Sequence, residues 1–304
     1  MIHLVYKSTD LLDSILFVDG AAEASCHYVR LTDGQLASPL FNRLLRLASS
    51  RGVFFPRLLC LLPGFRALKA VRGGDVVVLF DMTHLLLIDY LRRCMPAGTV
   101  VCVFFWNPLE RLFPHPAEAV GLLHRWGCRL STFDQSDANH YDMELKNQFI
   151  RVYDLPAPQA PQYDFYYLGA AKGREELLHR LVTQLASLGL HGLTIVVQQR
   201  SQFISYHANL FNIGRSHCII ELVQPGQTGI TLRALEALVY RRKLITNCTA
   251  IATLPFYHPD NILVWDTSTT AHMLRDFLSR PLAAVPDDIL RLYTFTSWIS
   301  SFQP

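Results

Sequence analysis

Charge is scarce in this chain: Asp, Glu, Lys and Arg make up 17% of the 304 residues, while half of the residues are apolar. Such a balance excludes a disordered or low-complexity protein, and 16 Gly and 16 Pro spread along the sequence exclude a collagen-like one. Seven cysteines, at 26, 60, 94, 102, 128, 218 and 248, are odd in number and contain no C-x-x-C pair or zinc-type spacing. A disulfide scaffold is thereby excluded and a reducing cytoplasm is expected. No apolar run approaches the roughly 20 residues that span a bilayer; Val76 to Phe80, Leu85 to Ile88 and Val100 to Trp106 are short enough to be buried strands or helices. The opening residues Met1 to Lys7 lack the layout of a signal peptide. Asn247-Cys248-Thr249 fits the N-glycosylation pattern, but it follows an apolar strand in a chain with no export signal and reads as chance.

Acid is missing altogether from one long stretch. Between Asp33 and Asp75 stand Arg43, Arg46, Arg51, Arg57, Arg66, Lys69 and Arg72 and no carboxylate, against a net charge of only +3 for the whole chain. Leu40 to Leu47 alternates Arg and apolar residues at helical spacing, as a basic amphipathic helix on an anionic surface would. A core helix with a solvated basic face has the same pattern. Residues 40–72 are therefore a candidate contact for an anionic membrane, with the chain peripheral at its inner face, and nothing marks a nucleic-acid partner.

At roughly 150 residues per domain, the length suggests two domains. Ile15 to Val18, Val76 to Phe80 and Val100 to Phe105 read as strands buried on both faces of a parallel sheet, with helices at Leu85 to Arg93 and Ala117 to Trp126. Ile2 to Tyr6 and Ser14 to Val18 fit either two strands or a strand and a helix. The prolines of Leu155 to Gln162 mark a stiff linker. The pattern then restarts: strand Tyr163 to Leu168, helix Glu175 to Leu188, strand Leu193 to Val197, a polar loop, strand Cys218 to Leu222, helix Thr231 to Tyr240 and strand Lys243 to Thr246. The expectation is an α/β protein of two Rossmann-like domains, 1–154 and 163–285, joined by 155–162. A C-terminal helix in 286–304 would pack back towards the first domain.

Two strand-to-helix turns carry chemistry. Gly169-Ala170-Ala171-Lys172-Gly173-Arg174 offers small residues, helix amides and two cations to an anion, without the spacing of a dinucleotide or Walker loop. By itself it also fits an ordinary solvated turn. Glu221 to Leu238 contains Gln227, Thr228, Gly229 and Thr231 ahead of a helix, and amides and hydroxyls at a helix start suit a diphosphate. Arg233 has the reach for phosphate oxygens and Glu236 the geometry for two ribose hydroxyls; a surface ion pair between the two is the plain alternative.

The block from Gly226 to Leu238, followed by Arg242 to Asn247 and Phe256 to Ile262, resembles the nucleotide-sugar half of bacterial GT-B glycosyltransferases of capsule, O-antigen and lipopolysaccharide assembly. Tyr167 to Arg174 is similar to the first loop of that half, and Thr132 to Tyr141 to its domain-crossover segment. The resemblance covers about residues 130 to 265 and implies a GT-B fold, two Rossmann-like domains facing across a cleft. It implies that Glu236 holds the donor ribose, that Lys172, Arg174, Thr228, Gly229, Thr231 and Arg233 hold the diphosphate, and that Gln198 and Arg200 border the base. The E-x7-E pattern of many retaining members is not present, since Thr228 stands where its first glutamate would be.

Glycosyl transfer of this type needs cations and helix amides for the leaving diphosphate in place of a metal, and no Asp-x-Asp motif is present. The expected co-substrate is a nucleotide sugar, UDP-linked, with no further cofactor, and the acceptor a lipid-linked, lipopolysaccharide or capsular glycan. A general base for the acceptor hydroxyl is sought after the first-domain strands: Asp81 and His84 are the candidates, with Trp106 and Asn107 as acceptor contacts. Asp81 also fits a helix cap. The rival readings are a non-catalytic scaffold of a polysaccharide assembly complex and a nucleotide-sugar epimerase of similar fold.

Overall fold

The computed structural model describes residues 1–16, 26–51, 63–153, 161–171, 173–199, 202–224 and 228–303. They form two compact units, residues 1–146 with 296–304, and residues 147–295.

The first unit is built on six parallel strands: β1 (Ile2–Lys7), β2 (Cys26–Leu31), β3 (Val76–Phe80), β4 (Val100–Phe105), β5 (Arg129–Thr132) and β6 (Glu144–Leu145), in the order β2-β1-β3-β4-β5-β6. All five residues of β3 are buried, as expected of a parallel strand covered on both faces. Helices α1 (Asp10–Leu16), α2 (Asp33–Ala37), α3 (Pro39–Arg51), α4 (Leu85–Cys94), α5 (Leu109–Leu112), α6 (Pro116–Arg125) and α7 (Gln135–Tyr141) alternate with the strands. The ambiguous N-terminal region is a strand and a helix. Ile15 and Leu16, expected in a strand, close α1 with both side chains buried, because a short apolar run buries equally well in either form; the end of that run lies outside the described residues. Strand β2 was hidden by its alternation of buried Cys26, Val29 and Leu31 with exposed residues. Thr32 starts α2 with a reciprocal capping box to Gln35.

The second unit has five parallel strands: β7 (Tyr163–Ala170), β8 (Gly192–Val197), β9 (Ser216–Glu221), β10 (Lys243–Thr246) and β11 (Ile262–Val264), in the order β11-β10-β9-β7-β8. Its helices are α8 (Glu175–Ser187), α9 (Tyr206–Gly214), α10 (Leu232–Val239), α11 (Ala271–Ser279) and α12 (Asp287–Arg291). Helix α9 occupies what reads as a polar loop: Ser205 caps it, and Tyr206, Asn209, Leu210 and Ile213 form its buried stripe. The chain ends in α13 (Phe295–Ser300), whose Trp298 packs edge-on to Phe80 and Phe104 at 5.6 and 5.0 Å.

Both sheets reverse their winding at one point, between β1 and β3 in the first unit and between β7 and β9 in the second. Open α/β sheets bind ligands beyond the carboxyl ends of the strands at such a reversal.

Candidate functional site

At the reversal in the second unit, β7 runs into the turn that starts α8 and β9 into the loop that starts α10. Arg174, the residue before α8, donates from its guanidinium to the Leu222 carbonyl just past β9 and to the Ala170 carbonyl at the end of β7, both at 2.5 Å. Gly169 makes room for this: a Cβ there would lie 2.5 Å from the Tyr167 hydroxyl and 3.3 Å from the Arg174 guanidinium. One cation thus bridges the two strand ends where the winding reverses.

The α10 start is organised by a carboxylate that the sequence reading passed over. Glu221, 1% exposed, accepts from the Thr231 amide at 2.8 Å and the Thr231 hydroxyl at 2.6 Å, and its other oxygen accepts from the Thr246 hydroxyl at 2.6 Å. Burial pushes its pKa up against these hydrogen bonds. The Thr231 hydroxyl is used twice, because it also accepts from the Arg233 amide at 3.1 Å. Asn247 holds the same loop, accepting from the Val223 amide at 2.7 Å. Thr228 is exposed and Gly229 buried.

Glu236 lies one turn into α10 and is wholly buried. One oxygen accepts from the Asn209 amide at 2.9 Å, and the other is paired with the Arg233 guanidinium. The Tyr166 hydroxyl donates to Asn209 at 3.1 Å, and Tyr206 also bears on the carboxylate. Burial raises the Glu236 pKa, opposed by Arg233 and Asn209. For Arg233 burial acts downward, and Glu236 together with Tyr166 and Tyr206 outweighs it, so its pKa rises. Arg233 and Glu236 are thus an ion pair, as the plain alternative has it, but with the carboxylate wholly buried and the arginine side chain 20% exposed. Gln198 is exposed just past β8, in a turn where its amide donates to the Gln202 side chain at 2.7 Å. Lys172, Arg200 and Gln227 lie outside the described residues.

At the reversal in the first unit stands Asp81, directly after β3. It has a left-handed backbone, φ 50°, which is costly for a residue with a Cβ and is held here by the Asp81 amide donating to the Phe104 carbonyl at 2.7 Å. Its carboxylate accepts from the Trp106 amide at 3.0 Å and the Asn107 side chain at 2.7 Å. It caps no helix; it ties the end of β3 to the loop after β4. Burial raises its pKa, countered by those hydrogen bonds and by the charge of Lys7 at the end of β1. Trp106 is half-buried, its ring 5.4 Å from that of Phe80.

His84 sits apart from this group and is the cap of α4. Its Nδ1 accepts from the Leu87 amide at 3.2 Å, which fixes Nε2 as the donor to Asn42 Oδ1 at 2.7 Å. Both ring nitrogens are engaged, and burial holds its pKa below the ordinary value. Asp81, Trp106 and Asn107 therefore come together; His84 does not join them. Lys7, Glu221, Asn209, Tyr166 and Tyr206 went unnoticed; the spacing of Tyr206, Asn209, Leu210 and Ile213 was the available signal for the helix that carries two of them.

No family model and no curated protein matches the chain. Fifteen chains of solved structures match its fold. One is the apo structure of OtsA, a GT-B glycosyltransferase, with a TM-score of 0.52 at 12% identity over 99% of this chain and 97% of that one. The fold is GT-B. Among the described residues, the GT-B chain has no helix long and apolar enough to cross a membrane. At this identity the likeness carries architecture, and residue roles rest on the geometry above.

Proposed function

We propose that this chain is a glycosyltransferase that moves a sugar from a nucleoside diphosphate donor, with UDP as the nucleotide, to a hydroxyl of a lipid-linked or cell-surface glycan. The observation that carries the reading is the pairing of chemistry with topology: cations and a helix start at one winding reversal, a base-type carboxylate at the other. In the second unit, the donor diphosphate draws Arg233 from Glu236 and lies against the start of α10, whose dipole favours an anion, while Arg174 holds the strand ends beneath it. The carboxylate released from Arg233 accepts hydrogen bonds from the ribose hydroxyls. In the first unit, Asp81 takes the proton of the acceptor hydroxyl as its oxygen bonds to the anomeric carbon. The bond from that carbon to the diphosphate breaks and the nucleoside diphosphate leaves with the electron pair. Its new charge is met by the Arg233 guanidinium and the positive end of the α10 dipole, preorganised groups of the kind that stabilise such a leaving group.

The sealing of Glu236 favours a second reading, a scaffold that keeps the donor fold as structure only. Thermal unfolding separates the two, because a ligand that binds only the folded state must raise the melting temperature. UDP is expected to raise it, and Glu236→Gln, which keeps an acceptor for Asn209, is expected to lose the shift while remaining folded. No shift with UDP, GDP or CMP would leave the scaffold reading standing.

A further inference from the structure

Helix α3 carries an apolar arc about 160° wide, and the core covers only one side of it. Phe41 and Leu45 are buried at 6% and 2% exposure, with the Phe41 ring stacked 5.8 Å from that of Phe65. Leu40, Leu44 and Leu47 are exposed by 68, 45 and 40%. At 100° per residue these three leucines fall within about 60° of one another, a narrow row one side of which is bordered by Arg43 and Arg46. Both arginines are exposed, as are Arg66, Lys69 and Arg72 further along the acid-free stretch.

We infer that this leucine row docks on an anionic lipid bilayer, with the leucines entering the boundary between headgroups and acyl chains and the arginines meeting lipid phosphates. A leucine row alone would suit a protein partner equally. The charge decides, since five exposed cations without an acid between Asp33 and Asp75 complement a continuous negative surface and repel another copy of themselves. The helix is tied to the proposed acceptor end of its own sheet: Asn42 accepts from His84, which caps the helix three residues after Asp81, and it donates to the Leu36 and Ser38 carbonyls at 2.9 and 3.1 Å. A bilayer under α3 therefore meets the same unit as the carboxylate that would deprotonate the acceptor. That last step rests on the glycosyl-transfer reading; the docking does not.

The test is flotation of the full chain with vesicles of phosphatidylglycerol and phosphatidylcholine, against phosphatidylcholine alone, without donor or acceptor. The chain is expected to float with the anionic vesicles and to be released by salt. Arg43→Gln with Arg46→Gln should lower partitioning about thirtyfold, roughly fivefold for each arginine. Leu44→Ser with Leu47→Ser should lower it by at least about tenfold, with the circular dichroism spectrum unchanged because all four side chains are exposed. Equal flotation with both vesicle types, no flotation of the folded wild type, or variants that float like the wild type would each overturn the proposal. So would a leucine variant that turns a dimer into a monomer while flotation stays the same, which would assign the row to a second copy. A failed UDP shift with intact flotation sinks the enzyme reading and leaves the docking in place.

Discussion

The two winding reversals share one topology and use opposite electrostatics. In the second unit the acids are sealed: Glu221 sits among threonine donors, and Glu236 faces Arg233 with no solvent exposure. In the first unit Asp81 is half-buried and hydrogen-bonded by neutral donors, the Trp106 amide and the Asn107 side chain, with Lys7 acting through its charge. A carboxylate facing a guanidinium is a poor proton acceptor, because protonation would strand the cation. A carboxylate hydrogen-bonded by neutral donors, its pKa already raised by burial, can take a proton without breaking an ion pair. On the proposed glycosyl transfer, this difference would put binding and stability at one edge and proton transfer at the other.

Substitution at Asp81 tests that division most severely. Asp81→Asn is expected to lower transfer by about 10²–10⁴-fold, the usual worth of a general base. Stability should change by no more than about 1 kcal/mol, one neutral hydrogen bond to Asn107 being lost. The pH dependence follows from the raised pKa. The base works only when deprotonated, so the rate rises with pH through a midpoint above the ordinary carboxylate value, and that limb vanishes in Asp81→Asn. Stability runs the other way: the folded state keeps the proton longer than the unfolded chain, so it loses stability as pH rises from the unfolded pKa through the raised one. Full turnover in Asp81→Asn would put the base elsewhere and end the comparison.

The second unit should answer to stability first. Glu236→Ala strands Arg233 beside Tyr166 and Asn209 and is expected to cost about 3–5 kcal/mol in chemical denaturation, the range for breaking a buried pair from one side. Arg233→Met should be damaging for the same reason, and the double variant should cost clearly less than the sum of the two. Additive losses would mean that the two side chains are uncoupled and that no partner exchange accompanies donor binding.

What could be read in advance follows from these contacts. Parallel strands buried on both faces announce themselves, as Val76–Phe80 and Lys243–Thr246 do, because every position must be apolar or paired. The α10 start was legible because Thr231 is a cap by its chemistry alone. Strand β2 was not, since Cys26–Leu31 alternates like a loop of mixed character, and α9 was not, since its stripe includes the polar Tyr206 and Asn209. Those two are buried because Glu236 meets Asn209 from 27 residues along the chain and Tyr206 from further still, and a partner at such a distance leaves no local period. His84 misled for a related reason: a histidine after a strand is equally a base or a cap, and only Asn42, on another helix, decides which.

Helix caps give the mildest version of the comparison, because Thr32 in the first unit and Thr231 in the second each start a helix. Thr32 reaches the Gln35 amide at 3.3 Å and is exposed, so water replaces it at little cost. Thr231 holds the Arg233 amide and donates to a buried carboxylate. Thr32→Ala should cost about 0.5–1 kcal/mol, the low end for a cap. Thr231→Val should cost about 2 kcal/mol, since a hydrogen bond to a charged group is lost as well and Glu221 keeps fewer donors in the core. Thr231→Ser restores the hydroxyl and should recover most of that loss. Equal costs at the two threonines would show that Glu221 gains nothing from the Thr231 hydroxyl, and the α10 start would then be an ordinary cap.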